Sequence, residues 1–264
     1  MRPLVGGSLR KILGPPMLEL ASRWRTCEVV PENWDPADRS DRAALSTLNA
    51  TTTIQLHSLS INVLGPAPAV SVVERIREWS DILGIGLVTD HFCWSGTGEH
   101  ALGVFVPPVE EITALQKRVR AVKKAVGITL GLENICLSSH DPFFNAHYHH
   151  ALAQISVNES VPVLLDLENL RLDALASGLS QDELLSHYDE VELCGYHVAG
   201  SSVGDQVLDT HDQKVPDATL QLLLKCYKKK NAPVIYERDY ALDVGEIDEE
   251  VRRIGACIEA DRLI

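Results

Sequence analysis

Eight short apolar runs alternate with longer amphipathic segments along this chain, and almost every run carries or leads into a His, Asp or Glu. The runs cover residues 3–9, 27–30, 53–61, 86–92, 129–135, 161–168, 192–199 and 234–238. Several are continuously apolar rather than alternating, which is the pattern of strands buried on both faces. Amphipathic stretches at 70–83, 109–126, 143–157, 181–188, 217–229 and 245–260 predict helices between them. Ser180 and Asp217 are candidate caps. Strands alternating with helices imply a parallel sheet, and eight such units predict an α/β fold closed into a (β/α)8 TIM-type barrel. The chain has 264 residues, close to the ~250 that such a barrel takes, so residues 1–264 are expected to form a single barrel domain. The first two units carry the weakest signal. The run 3–9 holds two glycines, and no clear helix separates it from the next run. A seven-strand or open sheet is the alternative.

The polar residues are placed with a regularity that packing does not require. His57, His91, Glu133, Asp166, His197 and Glu237 each lie in a different run; Asn134 and Asn169 follow two of them; Asp209 and His211 sit in the loop after 192–199. The run 27–30 leads into Glu32. From His57 onward the spacings are 34, 42, 33, 31, 12, 2 and 26 residues, so most steps equal one strand–helix unit. Barrel enzymes build their sites at the C-terminal ends of the strands, and these groups are expected to converge there. Four carboxylates and four imidazoles at close range need compensating charge, which divalent ions supply. Eight ligands exceed the needs of one ion, so two or three metals are expected. Nitrogen and oxygen donors without thiolates suit iron, manganese or zinc alike. Asp209 and His211, two residues apart, point the same way if that segment is extended, and both then reach one ion.

Taken singly, each of these residues has a plainer reading, as a satisfied core histidine or a helix cap. Their shared register is what favours a metal site. His147, His149 and His150 lack strand-end carboxylates nearby and read as a polar helix face. His100 follows a Gly-rich loop and could line the mouth of the site, against the plainer reading as a surface residue. Cys93 and Cys194 read as buried apolar packing. There is no GxSxG, P-loop, GxGxxG or zinc-ribbon pattern.

Composition narrows the partners. Asp and Glu number 37 against 24 Lys and Arg, a net charge of −13. That disfavours a broad nucleic-acid footprint. No stretch has the ~20 apolar residues of a membrane span, and the N-terminus lacks the apolar core of a signal peptide. Six scattered cysteines without a CxxC pair read as reduced thiols. The expectation is a cytoplasmic protein with neither a nucleic-acid nor a membrane partner.

The strings CEVVPENW, LHSLSINVLG, VTDHFCWS, GLENI, LLDLENL, YHVAGSS, DTHD and IYERD occur in this order between Cys27 and Asp239. Together they resemble the multinuclear non-heme iron-dependent oxidative enzymes, the methanobactin-biosynthesis type, which modify ribosomally made peptides, often at cysteine. The resemblance implies a xylose-isomerase-like TIM barrel holding two or three irons in mixed Fe(II)/Fe(III) valence, with dioxygen as co-substrate. It implies metal ligation by His57, His91, Glu133, Asp166, His197, Asp209, His211 and Glu237, with Asn169 as a ligand or a neighbour of one. Glu32, Asn134, Arg238 and Asp239 are expected to orient ligands. The implied substrate is a Cys-containing precursor peptide, with a separate leader-recognition protein as a possible partner. The chain departs from the family pattern at Ser201, where many members carry a second histidine, and at Glu168, an additional acid.

Three rival readings share much of this pattern. A trinuclear zinc phosphodiesterase resembling endonuclease IV would end one strand in Asp-x-x-His, whereas this chain has Asp166 and Asn169. A sugar isomerase would want a lysine at the metals, for which Lys214 is the candidate. A non-catalytic metal- or peptide-binding module would keep the ligands without the chemistry.

Overall fold

The computed structural model describes residues 3–97, 100–105, 112–202 and 208–262. In chain order the elements are β1 (Val5–Ser8), α1 (Gly14–Ala21), β2 (Thr26–Val29), α2 (Arg39–Asn49), β3 (Thr53–His57), α3 (Val70–Leu83), β4 (Leu87–His91), β5 (Trp94–Thr97), β6 (His100–Phe105), α4 (Ile112–Val126), β7 (Thr129–Glu133), α5 (Pro142–Glu159), β8 (Val163–Asp166), α6 (Leu167–Ser177), α7 (Gln181–Ser186), β9 (Leu193–Val198), α8 (Asp217–Lys229), β10 (Val234–Tyr236) and α9 (Val244–Asp261). Eight strands close a parallel barrel in the order β1-β10-β9-β8-β7-β4-β3-β2, and β5 and β6 form a separate antiparallel pair. The predicted barrel is therefore present, and the eighth strand is the doubtful first one. Its glycines are the reason it fits. A Cβ on Gly6 would lie 1.6 Å from the Thr26 carbonyl oxygen, so only glycine lets β1 and β2 approach this closely.

Helices cover the barrel with their apolar faces inward. Val73, Ile76, Trp79 and Leu83 of α3 are buried, as are Leu115, Val119, Val122 and Val126 of α4, each set at the i, i+3, i+4 spacing of one helix face. The predicted helix at 109–126 begins at Ile112; its first three positions lie outside the described residues. Three helices were not anticipated. α1 opens with Gly14-Pro15-Pro16, where proline suits the first turn. α2 is capped by Asp38, which accepts from the Ser40 amide at 2.7 Å. α6 begins inside the run read as a strand to residue 168. β8 ends at Asp166, whose Oδ1 accepts from the Asn169 amide at 2.7 Å and starts the helix. Ser180 caps α7 as expected, whereas Pro216 takes the cap position of α8 and Asp217 lies in its first turn.

Candidate metal centre

Strand register decides which side chains meet. His91 pairs with Glu133 across β4 and β7, and Asp166 with His197 across β8 and β9. Side chains alternate between barrel interior and exterior along each strand, so these last inward positions form one layer at the C-terminal rim. His57 stands edge-on to His91 and to His197, with ring centroids 5.0 and 5.2 Å apart. Two groups result. Ligand-capable atoms of His57, His91 and Glu133 lie within 4.8 Å of one another, and so do those of Glu133, Asp166, His197 and Glu237. Glu133 belongs to both. Its Oε2 lies 3.3 Å from His57 Nε2 and 3.5 Å from His91 Nε2, while Oε1 lies 2.8 Å from His197 Nδ1. Asp209 and His211 extend the cluster toward the rim. Asp209 Oδ1 is 2.7 Å from His211 Nε2, and His211 Nδ1 is 3.0 Å from Asp239 Oδ2 and 3.5 Å from Glu237 Oε2. The eight His, Asp and Glu residues offered as ligands from sequence thus form one connected cluster.

The route taken by Asp209 and His211 differs from the expected one. The segment is not extended: His211 has φ of 45°, a left-handed conformation uncommon outside glycine. A bent backbone brings the two side chains together. On either side of this loop the backbone at Gly200 approaches that at Lys214, where a Cβ on residue 200 would lie 2.0 Å from the Lys214 carbonyl oxygen.

The charge state of the cluster without metal is informative. Burial raises the Asp166 carboxyl well above the usual range, and the nearby Glu133 carboxylate adds to the effect. Burial acts against ionised Glu133 too, but His197, His57 and His91 outweigh it and hold its pKa below the usual value. For His91, burial pulls the pKa down, yet Glu133 and Asp90 push it up to about 9. His197 and His211 are likewise raised against the effect of burial, the first by Glu237, Glu28 and Glu133, the second by Asp209 and Asp239. Protons thus hold together a set of ligands that a cation would otherwise hold.

Orphaned atoms test whether a metal fits. Glu133 Oε2, Asp166 Oδ2 and Asn169 Oδ1 are buried and lack a hydrogen-bond partner. Buried polar atoms are ordinarily satisfied, and three oxygen orphans within one cluster of nitrogen- and oxygen-donor groups match the donor set of a hard or borderline divalent ion. The partnered atoms hold the ligands in place. Asn134 locks β7 to β8 by accepting from the Asp166 amide and donating to the Asp166 carbonyl, both at 2.9 Å. Asn169 donates through its amide nitrogen to the Asn134 carbonyl at 3.1 Å. Asp90 accepts from the backbone of Ile61 and His91, both at 2.6 Å.

Several expectations are adjusted. Glu32 does not touch the cluster; its Oε1 accepts from Ser58, from Ser60 and from the Leu59 and Ser60 amides, and so shapes the loop after His57. Arg238 donates to the Tyr240 and Ala241 carbonyls and supports the loop after Glu237. Lys214 is exposed and pairs with Glu249 at 3.6 Å, which leaves the sugar-isomerase reading without its lysine. His149 is buried between the Tyr188 hydroxyl at 2.6 Å and Asp173 Oδ2 at 3.2 Å, within the helical layer. The His100 side chain lies outside the described residues. Burial pushes the Cys93 thiol up, and the Cys194 thiol up to about 12, so neither offers a thiolate. Two residues were missed. Thr89 lies 2.9 Å from His57 Nδ1. Glu28 lies 2.6 Å from His197 Nε2, and its one sequence signal is a carboxylate inside a fully apolar run, where an unpaired charge is costly.

A family model described as "RiPP precursor modification enzyme MbnB/TglH/ChrH" matches residues 4–259, RiPP denoting a ribosomally synthesised, post-translationally modified peptide. Among curated proteins, a UPF0276 protein of Neisseria meningitidis serogroup B is 25% identical over 260 residues, covering 94% of this chain and 93% of that protein. A UPF0276 protein of Caulobacter vibrioides is 29% identical over 204 residues, 74% of this chain and 71% of its own length. Among solved structures, a xylose isomerase-like TIM barrel protein from Mycobacterium smegmatis in complex with magnesium superposes with a TM-score of 0.63 at 13% identity, over 99% of this chain and 98% of that one. A D-tagatose 3-epimerase-like protein gives 0.62 at 13% identity, over 99% and 100%. At such identities the likeness is one of fold.

Proposed function

The chain belongs to the RiPP precursor modification enzyme family MbnB/TglH/ChrH, and from that premise we propose that it is a multinuclear non-heme iron oxidase that uses dioxygen to modify a precursor peptide at cysteine. The observation that carries this reading is Glu133, a buried carboxylate with one oxygen orphaned between His57 and His91 and the other against His197. A carboxylate in that position is arranged to serve two ions at once.

In this reading His57, His91 and Glu133 would hold one ion, and Glu133, Asp166, His197 and Glu237 a second. Asp209 and His211 would hold a third where one binds, and the Asn169 amide oxygen would serve as a ligand or a neighbour of one. Bound there, two or three irons of mixed valence would supply electrons for dioxygen and Lewis acidity toward a substrate thiolate. The protein's own part is positional. His57, His197 and Asp166 close the inner side of the site and keep water out. His91 and Asp209 retain side-chain exposures of 22% and 29%, so the peptide reaches the centre past them. Asp239 holds His211 from behind. Residues 1–264 would act as one barrel domain in the cytoplasm, with a separate protein recognising the leader. Among the described residues no helix is long and apolar enough to cross a membrane.

The direct test uses iron-loaded protein and a short Cys-containing peptide encoded beside its gene, with oxygen uptake and peptide mass followed together. Uptake matched by a mass change that a Cys→Ser peptide abolishes is the expected result. A mass change without oxygen uptake, or no change in the presence of peptide and any separate recognition protein, would overturn the reading.

A further inference from the structure

We infer that Glu28 is the positioning residue for His197: its carboxylate takes the Nε2 hydrogen, so that in the metal-loaded protein an unprotonated Nδ1 would be turned toward Glu133, Asp166 and Glu237. This rests on the metal reading of the site. Glu28 is buried in β2, with Ser8 Oγ donating to its Oε1 at 3.2 Å. Its Oε2 crosses the barrel interior to lie 2.6 Å from His197 Nε2. On the opposite edge of the ring, Nδ1 faces Glu133 Oε1 at 2.8 Å and Glu237 Oε2 at 3.2 Å.

A neutral imidazole has one N–H and one lone pair. With the hydrogen on Nε2 held by Glu28, the lone pair on Nδ1 points into the group of ligand atoms around Glu133. Glu28 lies outside both groups whose atoms gather within 4.8 Å, which places it behind the histidine rather than among the ligands. A carboxylate behind a ligating histidine fixes its tautomer and ring orientation and strengthens it as a donor. The edge contact with His57 blocks the ring from the other side. The pairing also accounts for a carboxylate inside an apolar strand, where burial without a partner is costly.

The test compares wild type, Glu28→Gln and Glu28→Asp. Anaerobic Fe(II) titration against a competing chelator gives number and affinity of ions, and the absorption spectrum of the Co(II)-loaded protein reports ligand geometry. Glu28→Gln is expected to bind the same number of ions, with one held about 10–100-fold more weakly and the Co(II) spectrum altered. Glu28→Asp should recover part of the loss. Wild-type affinity and spectrum in Glu28→Gln would overturn the inference. Loss of a whole equivalent would also overturn it, by making Glu28 a ligand. If Glu28→Gln does not fold, Glu28→Asp decides: a shifted spectrum with weaker binding supports the role, and wild-type behaviour overturns it. A wild-type protein that takes up neither Fe(II) nor Co(II) would instead refute the metal reading beneath it.

Discussion

The Thr89 hydroxyl lies 2.9 Å from His57 Nδ1 and donates its own hydrogen to the Leu56 carbonyl at 3.3 Å. Thr89 therefore accepts from Nδ1–H, and His57 presents an unprotonated Nε2 to Glu133. Thr89→Val keeps the shape and removes the acceptor. The stranded N–H should cost about 1–3 kcal/mol of apo stability, and metal affinity at the His57 group should fall about tenfold. Chemical denaturation and chelator competition measure the two effects separately.

Glu133 belongs to both ligand groups, whereas His57 belongs to one. Glu133→Gln should therefore weaken two ions together, and His57→Ala mainly one. Metal analysis after dialysis against a weak chelator is expected to show a greater loss for Glu133→Gln, by about one equivalent. Equal losses would speak against a shared carboxylate.

Asp166 has two tasks that substitution can separate. As a cap it accepts from the Asn169 amide, and as a candidate ligand it offers the orphaned Oδ2. Without metal, burial and then Glu133 disfavour its charged form, and asparagine keeps a side-chain oxygen for the Asn169 amide. Asp166→Asn should leave apo stability nearly unchanged, while Asp166→Ala should cost about 1 kcal/mol through the lost cap. Both should lose metal. Thermal unfolding of the apo proteins, set beside metal content, checks the pair.

The pH dependence should have opposite signs with and without metal. His91 stands near 9 in the apo protein against an ordinary 6.5. Its interaction with Glu133 and Asp90 thus contributes stability that is fully present below about pH 6.5 and is lost as pH rises through about 9. Metal needs the neutral imidazole, so binding displaces that proton and affinity should rise over the same interval. Calorimetric titrations at pH 7 in buffers of different ionisation enthalpy should show proton release on metal binding.

The barrel was legible because its strands are apolar on both faces, as in Val163–Asp166, and because one ionisable residue recurs per unit. α6 was not legible. Leu167, Glu168, Asn169, Leu170, Leu172, Asp173 and Ala174 are all buried, so the helix shows no polar face and continues the strand's pattern. Its buried acids are spent inside the protein: Glu168 accepts from Arg171, Thr219 Oγ1 and the Ser201 amide. The convergence of His57, His91, Glu133, Asp166, His197, Asp209, His211 and Glu237 followed from spacing alone. Which nitrogen each histidine presents did not, because that depends on Thr89, Glu28 and Asp239, which reach the histidines from other strands and loops.

The central claim is a centre of several irons, and it is tested most directly by counting metals in protein purified without added metal, alongside peptide oxidation by the same sample. About two or three irons per chain with zinc minor are expected, with activity that rises with iron content. Full activity in protein holding less than about one iron per chain would contradict it.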